Sequence, residues 1–296
     1  MRNVSIILAA SGWGAANFAT ADGALNVLQK NILKPIIDHP DLNCIVYYAA
    51  WQLSALEKSF NHSVKTRKNN VLQATTWLRN LVEGEIKKGN FILVIGGDHS
   101  LAMGTWSGVK NAGEDFGLIW IDAHMDAHTY ETSLSNNPHG MPVSALLGSG
   151  DAAFLNLANT PPTLKPFSLI QTGIRSYEVE EQQFLEKLQV EIAYHHKRYS
   201  YDAFEHFTKS RNKLLKQHST YGVSFDIDGV DPSYCPGTGT PADGGIELEA
   251  VEQSLKGIVF DPNCIGLEIV EYNPHLDKDL ATFAAFKKII ETLISI

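Results

Sequence analysis

Phe116-Gly-Leu-Ile-Trp-Ile-Asp-Ala-His-Met-Asp126 is an apolar, strand-like run that ends in three metal-type side chains on alternate residues. In extended backbone, residues i, i+2 and i+4 project to one side, so Asp122, His124 and Asp126 share a face while Ala123 and Met125 turn away. The pattern returns after Val223-Ser-Phe225, where Asp226 and Asp228 stand two apart. It returns again after Phe91-Ile-Leu-Val-Ile95, which runs into Gly96-Gly-Asp-His-Ser100. Taken singly, each aspartate reads as a surface acid or a helix cap. Taken together, three strand ends gather carboxylates that repel one another unless a cation lies among them, and the simplest reading is one binuclear metal site. An oxygen-rich set with a few imidazoles suits hard or borderline divalent ions such as manganese, and leaves iron, cobalt, nickel and zinc open.

The rest of the chain repeats the alternation. Apolar runs rich in branched residues recur at 4–10, 44–48, 91–95, 117–121, 168–171, 191–194, 222–225 and 265–270. Stretches with apolar positions at helical spacing lie between them, at 23–37, 66–88, 179–188, 201–217, 247–257 and 279–293. Such alternation predicts an α/β fold with a parallel sheet, whose ligands bind beyond the carboxyl ends of the strands. A closed eight-stranded barrel would place the same residues at its mouth, and periodicity does not choose between the two. Neither Pro161-Pro162 nor the loop from Cys235 to Pro241 is long enough for an interdomain linker, so one domain is expected.

Composition excludes several classes. A formal charge of −9, with no basic run beyond Lys65-Thr-Arg-Lys68, argues against a nucleic-acid surface, and that short piece reads as a solvated helix face. The three cysteines, Cys44, Cys235 and Cys264, are too scattered for a disulfide framework or a CxxC site, which predicts a cytoplasmic protein. The first ten residues read as a buried strand rather than a secretory signal, because Ser11-Gly-Trp-Gly14 interrupts a short apolar run. No apolar stretch approaches the ~20 residues that span a bilayer, so no membrane partner is expected.

Gly96-Gly-Asp-His-Ser100, Asp122-Ala-His-Met-Asp126 and Ser224-Phe-Asp-Ile-Asp-Gly-Val-Asp-Pro232 resemble, in order and spacing, the three signature blocks of the ureohydrolase family, which includes arginase and agmatinase. The resemblance covers almost the whole chain and is nearest to arginase. It implies an open three-layer α/β/α sandwich around a mainly parallel eight-stranded sheet, with residues 1–296 as one domain. It also implies two manganese ions held by His99, Asp122, His124, Asp126, Asp226 and Asp228. In the family's pattern Asp122 and Asp226 bridge the ions, His99 and Asp126 complete one, and His124 and Asp228 complete the other. Two cations roughly 3.5–4 Å apart bring the pKa of a shared water toward neutrality, and the resulting hydroxide is the nucleophile. A homo-oligomer, trimer or hexamer, is implied as well.

Glu271, in Gly266-Leu-Glu-Ile-Val-Glu-Tyr-Asn-Pro274, resembles the family glutamate that grips a guanidinium, a pairing that can be bidentate. Glu268, three residues earlier, faces the opposite side of a strand and reads as a packed acid. His139, in Ser135-Asn-Asn-Pro-His-Gly-Met-Pro-Val-Ser144, resembles the arginase proton shuttle, and it and Asp126 are the candidates for protonating the leaving amine. Ser135 and Asn137 match arginase positions that meet the α-carboxylate of arginine, and Glu178 and Glu181 lie where the α-amino group is met. Departures from that pattern are His128, where arginases carry Asn, Glu178, where Asp is usual, Met125 and Ala127 in the middle of the signature block, and an atypical segment from Ser11 to Asn17. The small guanidino substrate expected is L-arginine, with agmatine, another guanidino acid or formiminoglutamate as alternatives. A metal-stabilised binding protein without turnover would bind ligand and release no urea. A single-zinc deacylase on a related fold would hold one metal.

Overall fold

The computed structural model describes residues 1–51, 62–195 and 202–295. Eight strands form one parallel sheet: β1 (Arg2–Ala10), β2 (Leu42–Ala50), β3 (Phe91–Gly96), β4 (Phe116–Ile121), β5 (Leu169–Ile174), β6 (Glu191–Tyr194), β7 (Thr220–Asp226) and β8 (Cys264–Val270). Their order is β2-β1-β3-β8-β7-β4-β5-β6. The sheet is open, with β2 and β6 as its edges, and the barrel alternative falls away.

The interior strands are buried on both faces, which is why they read as continuous apolar runs. Successive side chains serve different layers. Ile119 and Ile121 of β4 pack with α1 (Ala21–Gln29), α2 (Lys34–Ile37) and the later helices, whereas Leu118 and Trp120 pack on the other side. That second layer is built on α3 (Val64–Ile86), α4 (Ala102–Asn111), α5 (Pro142–Leu146) and α7 (Val179–Lys187). The short α6 (Ala152–Leu155) joins a smaller apolar cluster beside it. The first layer is completed by α8 (Ala203–Leu214), α9 (Leu248–Leu255) and α10 (Ala281–Thr292).

One step in the topology makes the site. Consecutive strands β3 and β4 are not neighbours, because β7 and β8 return from the far edge to fill the gap between them. The tips of β3, β8, β7 and β4 therefore stand side by side at the switch in strand order, where open α/β sheets bind ligands.

All eight expected strands are present, while the helices differ in places, the short α5 and α6 being unanticipated. The stretch at 23–37 is two helices, because Pro35 in the first turn of α2 cannot continue a preceding helix. The start expected at 201 lies outside the described residues, and α8 begins at Ala203. Helix α4 was not anticipated: Ala102 through Val109 are all buried, so it has no amphipathic period to betray it. Its glycines carry the contact with α3, since a Cβ on Gly104 would lie 2.5 Å from the Thr75 carbonyl oxygen. The basic piece at 65–68 is not a solvated face. Arg67 is half-buried, and Lys68 pairs with Asp151.

Candidate metal centre and cavity

His99, Asp122, Asp126, Asp226 and Asp228 converge beyond the strand tips and are all buried, with His124 partly so. His99 Nδ1 faces three carboxylates, Asp122 Oδ2 at 3.2 Å, Asp126 Oδ2 at 3.1 Å and Asp226 Oδ2 at 3.2 Å. His124 Nδ1 lies 3.1 Å from Asp228 Oδ2 and 3.5 Å from Asp122 Oδ1. Asp122 thus belongs to two groups, one with His99 and Asp226 and one with His124 and Asp228, each able to hold a metal ion. One of its carboxylate oxygens faces each imidazole.

The donor set fits a cation, and the hydrogen bonds say why. Ser224 Oγ donates to Glu268 Oε1 at 2.6 Å, so it accepts from His99 Nε2 at 2.9 Å. A neutral His99 with its proton on Nε2 aims the Nδ1 lone pair at three carboxylates, and that buried nitrogen has no hydrogen-bond partner. A lone pair facing acceptor oxygens is repulsive unless a positive ion sits between them. Burial, with the charges of Asp228 and Asp122, pushes the Asp226 carboxyl well above the usual range, and burial with Asp122 raises Asp126 to about 6. Burial opposes ionisation of Asp122 too, yet His124 beside it holds its carboxyl far below the ordinary range.

Several residues that fix this centre carry no motif signal. Trp120 stacks on the His99 ring at 4.1 Å between centroids and donates its indole N–H to Asp122 Oδ2 at 2.9 Å. Glu268, which sequence marked only as packed, also accepts from Trp106 Nε1 at 2.7 Å, so the Ser224–Glu268 pair orients His99 from behind. Arg175 donates to the carbonyls of Asp228, Gly229 and Val230 and pins the second aspartate loop. Among these, Ser224 was legible only as the first residue of a signature block and Glu268 only as a packed acid.

Glu271 follows β8 in the left-handed region, φ +66°, and Asp126 does the same after β4 at φ +51°. Non-glycine residues held there mark a local cost that the surrounding contacts must sustain. The Glu271 N–H donates to the Gly97 carbonyl at 2.7 Å, and its Oε1 accepts from His99 N at 2.9 Å and His139 Nδ1 at 3.0 Å. Its Oε2 is buried without a partner. Burial works against a charged His139, but Glu271, Asp126 and Asp98 outweigh it and raise its pKa to about 9.

A cavity of about 170 Å³ opens above the centre, and His124, Asp126, Asp226 and His139 line its inner end. His128, Ser135, Glu178, Glu181 and Thr240 line the rest, together with Ser133, Leu134 and Gly140. Two expected residues are not on its wall. Glu271 sits behind His139, and Asn137 turns its amide oxygen to Arg67 Nη1 at 2.9 Å. Glu181 reaches the wall with one oxygen accepting from Ala127 N and the other from Glu178 N, so it also ties α7 to the β4 loop. Burial pushes its carboxyl up to about 8. His128 Nε2 donates to Glu178 Oε2 at 3.1 Å. The atypical N-terminal segment is integral to the site, because Gly14 N donates to Asp98 Oδ2 at 2.9 Å and Gly14 O accepts from His139 N at 3.2 Å.

The Arginase family model matches residues 35–295. An arginase from Bacillus subtilis (strain 168) is 33% identical over 246 residues, 80% of either chain. A crystal structure of arginase from Bacillus subtilis superposes with a TM-score of 0.86 at 28% identity, covering 100% of this chain and 99% of that one. A crystal structure of Entamoeba histolytica arginase in complex with L-ornithine gives 0.86 at 26% identity over the same shares.

Proposed function

Since the chain belongs to the arginase family and so hydrolyses guanidino C–N bonds, we propose that its substrate is L-arginine, cleaved to ornithine and urea, with residues 1–296 acting as one domain. The observation that carries the metal assignment is Asp122, whose two carboxylate oxygens face two different imidazoles. His99, Asp122, Asp126 and Asp226 would hold one manganese ion, and Asp122, His124, Asp226 and Asp228 the other. Two such ions supply an activated water at neutral pH.

The protein's own groups do the rest. The unpartnered Glu271 Oε2 is the acceptor left for a guanidinium N–H, and a buried carboxylate oxygen with no donor gains most from one. Held there, the guanidinium carbon lies at the strand tips, and positioning supplies a large part of the rate. His139, carrying a proton up to about pH 9, can pass it to the amine as the C–N bond breaks, and Asp126 beside it can relay the proton from the attacking water. Ser135, Asn137 and His128 would meet the carboxylate of arginine, and Glu178 and Glu181 the amino group. Cytoplasmic placement and a homo-oligomer belong to this reading, which the three unpaired cysteines suit.

One observation favours agmatine as a second reading: no lysine or arginine lines the cavity among the described residues, so a substrate carboxylate meets only neutral donors. Urea release from arginine, agmatine and shorter guanidino acids, measured on manganese-loaded protein with the metal counted by elemental analysis, decides between them. Arginine should lead, with two metals per chain. One metal per chain, or ligand binding without urea, would point to the deacylase or the binding protein instead.

A further inference from the structure

Arg67, in the basic piece at 65–68, lies outside the signature blocks and the metal centre, on α3 and within reach of the cavity loop. Its Nη1 donates to the Ala15 carbonyl at 2.8 Å and to Asn137 Oδ1 at 2.9 Å, and its guanidinium lies 4.8 Å over the Phe18 ring. One side chain therefore joins the atypical N-terminal segment, α3 and the loop that carries Ser135, Asn137 and His139.

A guanidinium only donates, so the atom of the Asn137 amide that faces it is the oxygen. This fixes a choice that an asparagine otherwise leaves open. With Oδ1 committed, the amide presents N–H donors and no acceptor, and those N–H groups have no partner among the described residues. Ser135 is linked in, since its Oγ accepts from Asn137 N at 3.3 Å. A pure donor at this position favours an anion over a cation or an uncharged chain end.

We infer that Arg67 is a positioning residue that orients the Asn137 amide as a donor and so gives the cavity mouth its preference for a guanidino substrate carrying a carboxylate. The inference rests on the arginine reading above, in which Asn137 meets that carboxylate. Arg67 touches no substrate atom. Asn137 lies beside Ser135 of the wall, so the charge that selects the carboxylate is placed behind the mouth, and a cavity without a cationic lining can still read an anion.

The test uses manganese-loaded full-length protein, wild type and the variants R67M, R67K, N137A and R67M/N137A. Each is titrated with L-ornithine, which keeps the carboxylate, and with 1,4-diaminobutane, which lacks it, and kcat and KM are measured for arginine and agmatine. Losing one charge-assisted hydrogen bond should weaken ornithine binding and raise KM for arginine by about 10- to 100-fold. The diaminobutane affinity, the agmatine constants and kcat for arginine should stay within about threefold, a split that general loosening of the loop would not produce. R67K, still a donor, should fall between R67M and wild type, and the double variant should match N137A alone. A wild type indifferent to the carboxylate sinks the arginine reading and this inference with it. A wild type that prefers ornithine, with R67M keeping that preference or losing both ligands equally, overturns the role of Arg67 only.

Discussion

At the strand tips, His99, Asp122, Asp126, Asp226 and Asp228 are buried and face one another with too few donors, whereas at the mouth Ser135 and Glu178 are exposed and His128 and Asn137 half-buried. Two of the mouth residues, His128 and Glu181, are also satisfied, spending their polar atoms on Glu178, Thr132 and Ala127. Both ends contain a His-and-carboxylate group close enough to hold an ion. They differ in unmet need. An uncompensated buried charge costs several kcal/mol, so the inner group calls for a cation to complete it, while the outer group has partners of its own. The inner end is committed to its chemistry and the outer end is free to change its ligand.

The largest effect should come from breaking the shared member of the inner end. Asp122→Asn removes a charge that both halves of the centre use, and turns an N–H group toward one of the two imidazoles. Activity should fall below detection, with at least one metal per chain lost by elemental analysis. An Asp122→Asn protein that keeps two metals and full turnover would erase the contrast between the ends.

Next come the residues behind the centre. Ser224→Ala and Glu268→Gln disturb the hydrogen bonds that keep the His99 proton on Nε2, and changes of this kind cost roughly 10- to 100-fold in metal affinity. Activity should recover in excess manganese, as it cannot for Asp122→Asn. Metal titration of each variant gives the comparison directly, and unchanged affinity in both would mean that the packing of Trp120 alone orients His99.

The inner end was legible in sequence because its geometry is that of a strand. Residues two apart share a face whatever the partner strand, so Asp122, His124 and Asp126 could be grouped before any topology was known. The six interior strands were legible as continuous apolar runs, being buried on both sides. Helix α4 was not, since burial all round removes the periodicity that marks a helix. The mouth resisted too, because its contacts join segments far apart in the chain: Arg67 to Asn137 spans 70 residues, and Gly14 to Asp98 spans 84. The conformations of Asp126 and Glu271, with φ above +50°, leave no trace in residue type.

Gly14 sharpens the comparison by joining the two ends. A Cβ there would lie 2.1 Å from Asp98 Oδ1 and 2.6 Å from Ser100 Oγ, so Gly14→Ala must push the N-terminal segment away from the β3 tip. Overpacking of this kind costs about 1–3 kcal/mol, to be read by denaturant unfolding of the metal-loaded protein. Because Gly14 also holds the His139 backbone, kcat should fall with stability.

The pH profile separates the ends by their titrating groups. Burial alone would lower the pKa of His139, but Glu271, Asp126 and Asp98 raise it above 6.5 to about 9. A raised histidine pKa means that the ion pair with Glu271 stabilises the fold fully below about 6.5 and no longer does so once the pH has passed through 9. As proton donor His139 follows the same window, so kcat should decline above about pH 9, whereas the rise from acid to neutrality belongs to ionisation of the carboxylates that would hold the metals, Asp126 at about 6 among them. In His139→Asn a lower kcat should lack that alkaline decline. A wild-type profile that keeps climbing past 10 would take the donor role from His139.

The smallest effect is expected at His128. Its Nε2 donates to Glu178 at 3.1 Å, and Nδ1 meets Thr132 Oγ1 at 3.1 Å, both in a half-open site where water can replace either partner. An exchange of that sort is worth about 1 kcal/mol, a few-fold in binding. His128→Asn should therefore change KM for arginine by less than about tenfold and leave kcat and metal content alone. The ratio of arginine to agmatine turnover should move more than either rate, because Glu178 is released from His128 and becomes available to a substrate ammonium. A His128→Asn protein that lost metal or kcat would show that the mouth is tied to the centre, and that the two ends are one device.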